Sequence, residues 1–145
     1  MIPTPKILLV DDEDRFRTTM RKLLTGHGLD VTDVDSGHKA LTALASQDFD
    51  VIVLDLRMPD MDGINTLKAM KDINPDLEVI ILTGHASLDD AMEIMQLGGT
   101  EYLLKPCSVE ALLDKIEIAF ERKTIRETHG PQRRSEIPEP EERDQ

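Results

Sequence analysis

Five short apolar runs limit the folds open to this chain: KILLV (6–10), LDVTDV (29–34), VIVLD (51–55), EVIILT (78–83) and EYLLK (101–105). Each is short, and each is followed by a segment of helical period. Phe16, Met20, Leu23 and Leu24 recur at helical spacing up to Gly26-His27-Gly28. Ser36 opens a second helix through Ala40, Leu41 and Leu44. A third begins after Gly63, carries Ile64, Leu67, Met70 and Lys71, and closes at Asn74-Pro75. Ser87 is the expected N-cap of a fourth, with Leu88, Ala91, Met92 and Met95 on one face and Gly98-Gly99 at its end. Ser108 caps the fifth, whose core face reads Val109, Leu112, Leu113, Ile116 and Phe120. Strands that are apolar on both sides must be covered on both sides. The pattern therefore predicts a five-stranded parallel sheet, doubly wound, in a three-layer α/β/α arrangement.

The chain has 145 residues, enough for one domain with a real core. Periodicity fades near Thr124 into a segment rich in Pro and charge, so a domain over 5–123 and a flexible charged tail over 124–145 are expected. The net charge of −12 argues against direct nucleic-acid binding. The single cysteine, Cys107, excludes an internal disulfide framework and fits a reducing compartment. No signal-peptide pattern or membrane-length apolar stretch is present, and a cytoplasmic location is expected. The histidines, His27, His38, His85 and His129, have no metal-ligand spacing.

In a doubly wound sheet the ligand lies at the carboxyl ends of the strands. Those ends carry Asp11-Asp12, Asp55, Thr83 followed by Gly84 and His85, and Lys105-Pro106. Singly, each has an ordinary explanation as a cap, a turn or a solvated side chain. Jointly, acid, acid, hydroxyl and ammonium at one edge do not. Two carboxylates about 4 Å apart repel by ~4 kcal/mol at an effective dielectric near 20, so a cation is needed. Hard oxygen ligands select Mg²⁺. The calcium-loop register is missing from PDMDG, which excludes an EF-hand. A carboxylate beside Mg²⁺, with a lysine and a hydroxyl in reach, suits phosphoryl transfer with the carboxylate as nucleophile.

In Asp11-Asp12, Asp55-x-x-Met58-Pro59-x-x-Asp62-Gly63, Thr83 and Lys105-Pro106, the chain resembles the receiver domain of bacterial two-component response regulators. The likeness covers roughly residues 5–123. It implies that Asp55 accepts a phosphoryl group from a phosphohistidine, on a sensor histidine kinase or a histidine phosphotransfer protein. It implies direct Mg²⁺ binding by Asp12, Asp55 and the backbone carbonyl of Arg57, with Asp11 acting mainly through water. Thr83 and Lys105 would contact the phosphoryl oxygens, Lys105-Pro106 would be cis, and Tyr102 would be the aromatic switch. Gly84 would be kept small for the donor. The activity implied is that of a phosphoacceptor signalling protein, not an enzyme.

Arg57 and His85 flank the implied route of the hydrolytic water and are expected to tune the phosphorylated lifetime. LTGHAS and DLRMPDMDG most resemble receivers at the head of sigma-54-dependent activators, but no ATPase or DNA-binding region follows. A stand-alone receiver controlling a downstream effector protein by contact is therefore expected. Ala111, Ile118 and Ile125 lie seven apart, opposite the core face, and with Ile94 they outline a partner or homodimer surface on the side of the fourth helix, the fifth strand and the fifth helix. An intermediate in a phosphorelay remains open as a variant. A dehalogenase-like aspartyl-phosphate phosphatase is disfavoured, because Arg57 stands where that chemistry wants an acid. A phosphorylation-independent interaction module would need an incomplete acidic site.

Overall fold

A computed structural model describes residues 4–56, 62–84, 88–98 and 101–136. Strands β1 (Lys6–Val10), β2 (Asp30–Val34), β3 (Val51–Leu54), β4 (Val79–Thr83) and β5 (Glu101–Leu104) alternate with α1 (Asp14–Gly26), α2 (Gly37–Ser46), α3 (Gly63–Ile73), α4 (Leu88–Gln96) and α5 (Val109–Glu136). All strand pairs are parallel and the order is β2-β1-β3-β4-β5. The sheet is the one expected from the apolar runs.

Alternation along each strand divides the core into two layers. Leu8, Val10, Ile52, Leu54, Val79 and Ile81 face α2, α3 and α4 through Ala40, Leu67, Met70 and Ile94. Ile7, Leu9, Val51, Val53, Ile80 and Leu82 face α1 and α5 through Met20, Leu24, Leu112, Ile116 and Ala119. The helix starts follow the sequence signals. Ser36 Oγ accepts from Lys39 N–H at 3.1 Å, and Ser108 Oγ accepts from Ala111 N–H at 3.1 Å. Asp62 caps α3, its Oδ1 accepting from Asn65 N–H at 2.8 Å.

Two expectations change. Ile94 is not on a partner surface: it is fully buried in the layer formed with Leu54 and Ile81. Met92 and Met95, from the face read at helical spacing, are instead 54% and 59% exposed. Both arcs of α4 are apolar, so helical period alone does not choose between them; the sheet takes the arc bearing Ile94. Nor does the last helix fade near Thr124. It runs on to Glu136. Past Thr124, Arg126 Nη1 donates to Glu78 Oε2 at 2.8 Å and Nη2 donates to the Asp76 carbonyl at 2.7 Å, so the helix rests on the entry to β4. Among the described residues no helix is long and apolar enough to cross a membrane.

Candidate functional site

The strand order reverses at β1 and β3, whose carboxyl ends release Asp11 and Asp55 side by side. Asp55 N–H donates to the Val10 carbonyl at 3.0 Å, continuing the ladder one residue past β3. Both carboxylates are taken out of water: Asp11 is 1% and Asp55 5% exposed. Asp12, on the following turn, is exposed. Each of the three offers a carboxylate oxygen within 4.8 Å of the others. Gly63 packs against the backbone of Asp55 and Leu56, its N–H donating to the Leu56 carbonyl at 2.8 Å.

Lys105 follows β5, and its N–H donates to the Thr83 carbonyl at 2.9 Å, which ties the ends of β4 and β5 together. Its ammonium lies 2.7 Å from Asp11 Oδ2, 2.8 Å from Glu13 Oε1 and 3.5 Å from Asp55 Oδ2. The ring of Phe16 sits beneath, 4.3 Å away. Lys105-Pro106 is cis. Thr83 is buried at the same edge, and among the described residues a Cβ on exposed Gly84 would meet only Lys105 Cβ, at 3.9 Å. Tyr102, paired with Ile81, is half-buried against the α2-α3-α4 layer.

The electrostatics follow from this packing. Burial is the strongest influence on Asp11 and raises its carboxyl above the ordinary value, as does Asp55. Lys105 and the Glu13 N–H pull it down without cancelling the rise. Burial also works against the Lys105 charge, but its bonds to Asp11 and Glu13, with the charge of Asp55, prevail and raise its pKa. The ammonium is fixed as a cation. Burial raises the Cys107 thiol as well, although Lys105 opposes it.

The expected residues Asp11, Asp12, Asp55, Thr83 and Lys105 stand at one edge of the sheet. Arg57 and His85 lie outside the described residues. On α5, Ala111 is half-buried and Ile118 and Ile125 are exposed, on the side away from the core. Sequence reasoning missed Glu13, Phe16 as a partner of the lysine, and Arg17. Glu13 is 92 residues from the ammonium it holds, and an acid before a helix reads simply as a favourable first-turn charge.

A parallel sheet in this order, with its carboxylates at the switch point, is the CheY-like α/β fold. The chain belongs to the response regulator receiver domain family, whose model matches residues 7–117. It is thus a phosphoacceptor signalling module rather than a catalytic enzyme, and its Asp11-Asp12-Asp55 triad is typical of the receiver Mg²⁺ site. It is 40% identical over 114 residues to the transcriptional regulatory protein ZraR of Escherichia coli K12, covering 79% of this chain and 26% of that protein. To the DNA-binding transcriptional regulator NtrC of Klebsiella pneumoniae it is 42% identical over 110 residues, covering 74% and 24%. The chain thus spans about a quarter of the length of these relatives. A solved receiver domain from Clostridium thermocellum superposes with a TM-score of 0.79 at 36% identity, covering 83% of this chain and 98% of that one.

Proposed function

We propose that this chain is a response regulator receiver whose Asp55 takes a phosphoryl group from the phosphohistidine of a sensor kinase or a histidine phosphotransfer protein. The observation that carries the reading is the juxtaposition of three carboxylates within 4.8 Å of one another and a lysine ammonium 3.5 Å from Asp55. Three hard oxygen donors facing one local ammonium fit a small divalent cation. Asp12, Asp55 and the Arg57 carbonyl would hold Mg²⁺ directly and Asp11 through water; when bound, the ion supplies positive charge against the phosphoryl oxygens.

A carboxylate oxygen of Asp55 attacks phosphorus, the P–N bond of the donor breaks, and the donor imidazole keeps the electron pair. Burial at the tip of β3 holds that oxygen in place, so attack needs little reorganisation. Lys105 is close enough to donate to an oxygen of the new acyl phosphate, and the Thr83 hydroxyl is the second donor. Movement of Thr83 toward the phosphoryl group leaves room for Tyr102 to turn inward. Driving a two-state switch nearly fully one way takes about 5.5 kcal/mol, within reach of several charge-assisted hydrogen bonds. Arg57 and His85 set the lifetime of the phosphorylated form; Arg57→Asn and His85→Ala should each change the dephosphorylation rate.

The α4-β5-α5 face, with Met95, Leu104 and Ile118 exposed, is where the state is passed to an effector protein or a second copy. Sedimentation of wild type and Ile118→Glu, with and without a phosphate mimic, tests the second copy. The central test is incubation with acetyl phosphate and Mg²⁺ followed by intact-mass analysis. Wild type should gain one phosphoryl group and Asp55→Asn none; equal gain by both proteins would place the acceptor elsewhere.

A further inference from the structure

Two of the three clustered carboxylates, Asp11 and Asp12, sit on the turn between β1 and α1. The sheet ladder reaches only to the start of that turn, where Asp11 N–H donates to the Val34 carbonyl at 3.2 Å. Farther on, side chains determine its shape, and Arg17 is the one that spans it. Its side chain is only 14% exposed. Nη1 donates to the Asp11 carbonyl at 2.8 Å, Nε to Asp33 Oδ2 on β2 at 2.8 Å, and Nη2 to Asp14 Oδ1 on the first turn of α1 at 2.8 Å. Arg21 Nε takes the other oxygen of Asp33 at 3.1 Å, which fixes that carboxylate as an anchor.

One planar fork thus ties the exit of β1, the end of β2 and the start of α1. Only a guanidinium can do this, because an ammonium has no fixed, divergent set of donors. Burial works against its charge, but the bonds to Asp33 and Asp14 more than restore it, so the tie persists across the working pH range. Resting on the reading of the triad as a cation site, we infer that Arg17 is a positioning residue. It holds the Asp11 carbonyl against Asp33, sets the spacing of the Asp11 and Asp12 carboxylates, and so sets the affinity for a divalent cation.

The sign of the effect separates this role from two simpler ones. Were Arg17 only a nearby positive charge, its removal would tighten cation binding. Were it only a staple between α1 and β2, its removal would lower stability and leave binding unchanged. A positioning role weakens binding, typically by tenfold or more when the support of a ligand is lost.

The experiment is a calorimetric Mg²⁺ titration, with no phosphodonor, of wild type, Arg17→Met, Arg17→Lys, Asp33→Asn and, as a control, Glu78→Gln. Glu78 is buried at the opposite end of the sheet between Arg122 and Arg126, so its variant reports loss of stability alone. Expected are a loss of about tenfold for Arg17→Met, partial recovery for Arg17→Lys and wild-type affinity for Glu78→Gln. Asp33→Asn, which keeps the shape of the anchor and removes its charge, should show a smaller loss and serves if Arg17→Met does not fold. Unchanged or tighter binding by the folded Arg17 and Asp33 variants overturns the inference alone, as does an equal loss in Glu78→Gln. Absence of Mg²⁺ binding by the wild-type protein overturns the cation site and the inference together.

Discussion

A Cβ placed on Gly63 would lie 2.6 Å from the Asp55 carbonyl oxygen and 3.0 Å from the Leu56 carbonyl carbon. Those are backbone atoms of the segment that presents Asp55, the proposed phosphoacceptor, so they cannot rotate away. Gly63→Ala should lower stability by about 2 kcal/mol, as overpacking does, and slow phosphoryl uptake at Asp55. A urea midpoint and an uptake rate both equal to wild type would refute this. Cys107 is a second case in which the environment decides. Burial favours the neutral thiol, so the sulfur stays protonated until the pH passes a value above that of a free cysteine. Iodoacetamide at pH 8 should label it more slowly than it labels glutathione; an equal rate would show a thiolate the packing does not predict. The strand-end residues were legible because each directly follows an apolar run, which fixes both its edge and its layer. Glu13 and Arg17 were not, since their partners come from other elements and a charged residue beside a helix start has an ordinary local explanation. Only the tertiary structure shows that Glu13 meets Lys105 and that Arg17 meets Asp33.

Among the elements, the strands were the plainest, because a run buried on both faces leaves a single choice of structure. Helix faces were less plain. In α4 both candidate arcs contain large apolar residues, and it is the sheet beneath, through Leu54 and Ile81, that takes up Ile94 and leaves Met92 and Met95 outside. In α5 the missing signal was charge. Arg122 and Arg126, one turn apart, read as solvated residues, yet both close on Glu78, which is 4% exposed. Lys123 adds ion pairs to Asp50 at 3.1 Å and Glu127 at 2.6 Å. Removing an acid so buried leaves the two arginines without their partner. Glu78→Ala should therefore cost about 2 kcal/mol. Amides of residues 122–128 should also exchange with deuterium faster than those of residues 112–119, which pack on the sheet. Unchanged protection over 122–128 would mean that helix propagation, not the clamp, carries α5 past Thr124.

On the scale of the whole molecule, the chain carries a net charge of −12 and places three carboxylates at one edge of its sheet. Repulsion among those carboxylates works against folding, and the Lys105 ammonium offsets part of it. A cation that binds only the folded state adds about 2.7 kcal/mol at a hundred times its dissociation constant, which raises the melting temperature by about 8 °C for a domain of this size. Mg²⁺ should give such a shift in wild type and a much smaller one in Asp12→Asn and Asp55→Asn. Asp11→Asn separates the pocket's intrinsic strain from its affinity for the ion. Burial raises the Asp11 carboxyl, so the folded state prefers it protonated. The stability gained from that proton is present below the ordinary carboxyl value of 3.8 and is lost as the pH rises through the higher folded value. At pH 7 the ionised group is therefore a net burden without metal, despite its 2.7 Å contact with Lys105. The asparagine variant should melt above wild type in EDTA and gain less from Mg²⁺, so that the two melting curves converge or cross as the ion is added. Should it melt below wild type in EDTA, the Asp11–Lys105 pair would outweigh the burial of charge, and the acidic edge would be a stabilised ion cluster that Mg²⁺ has to break open.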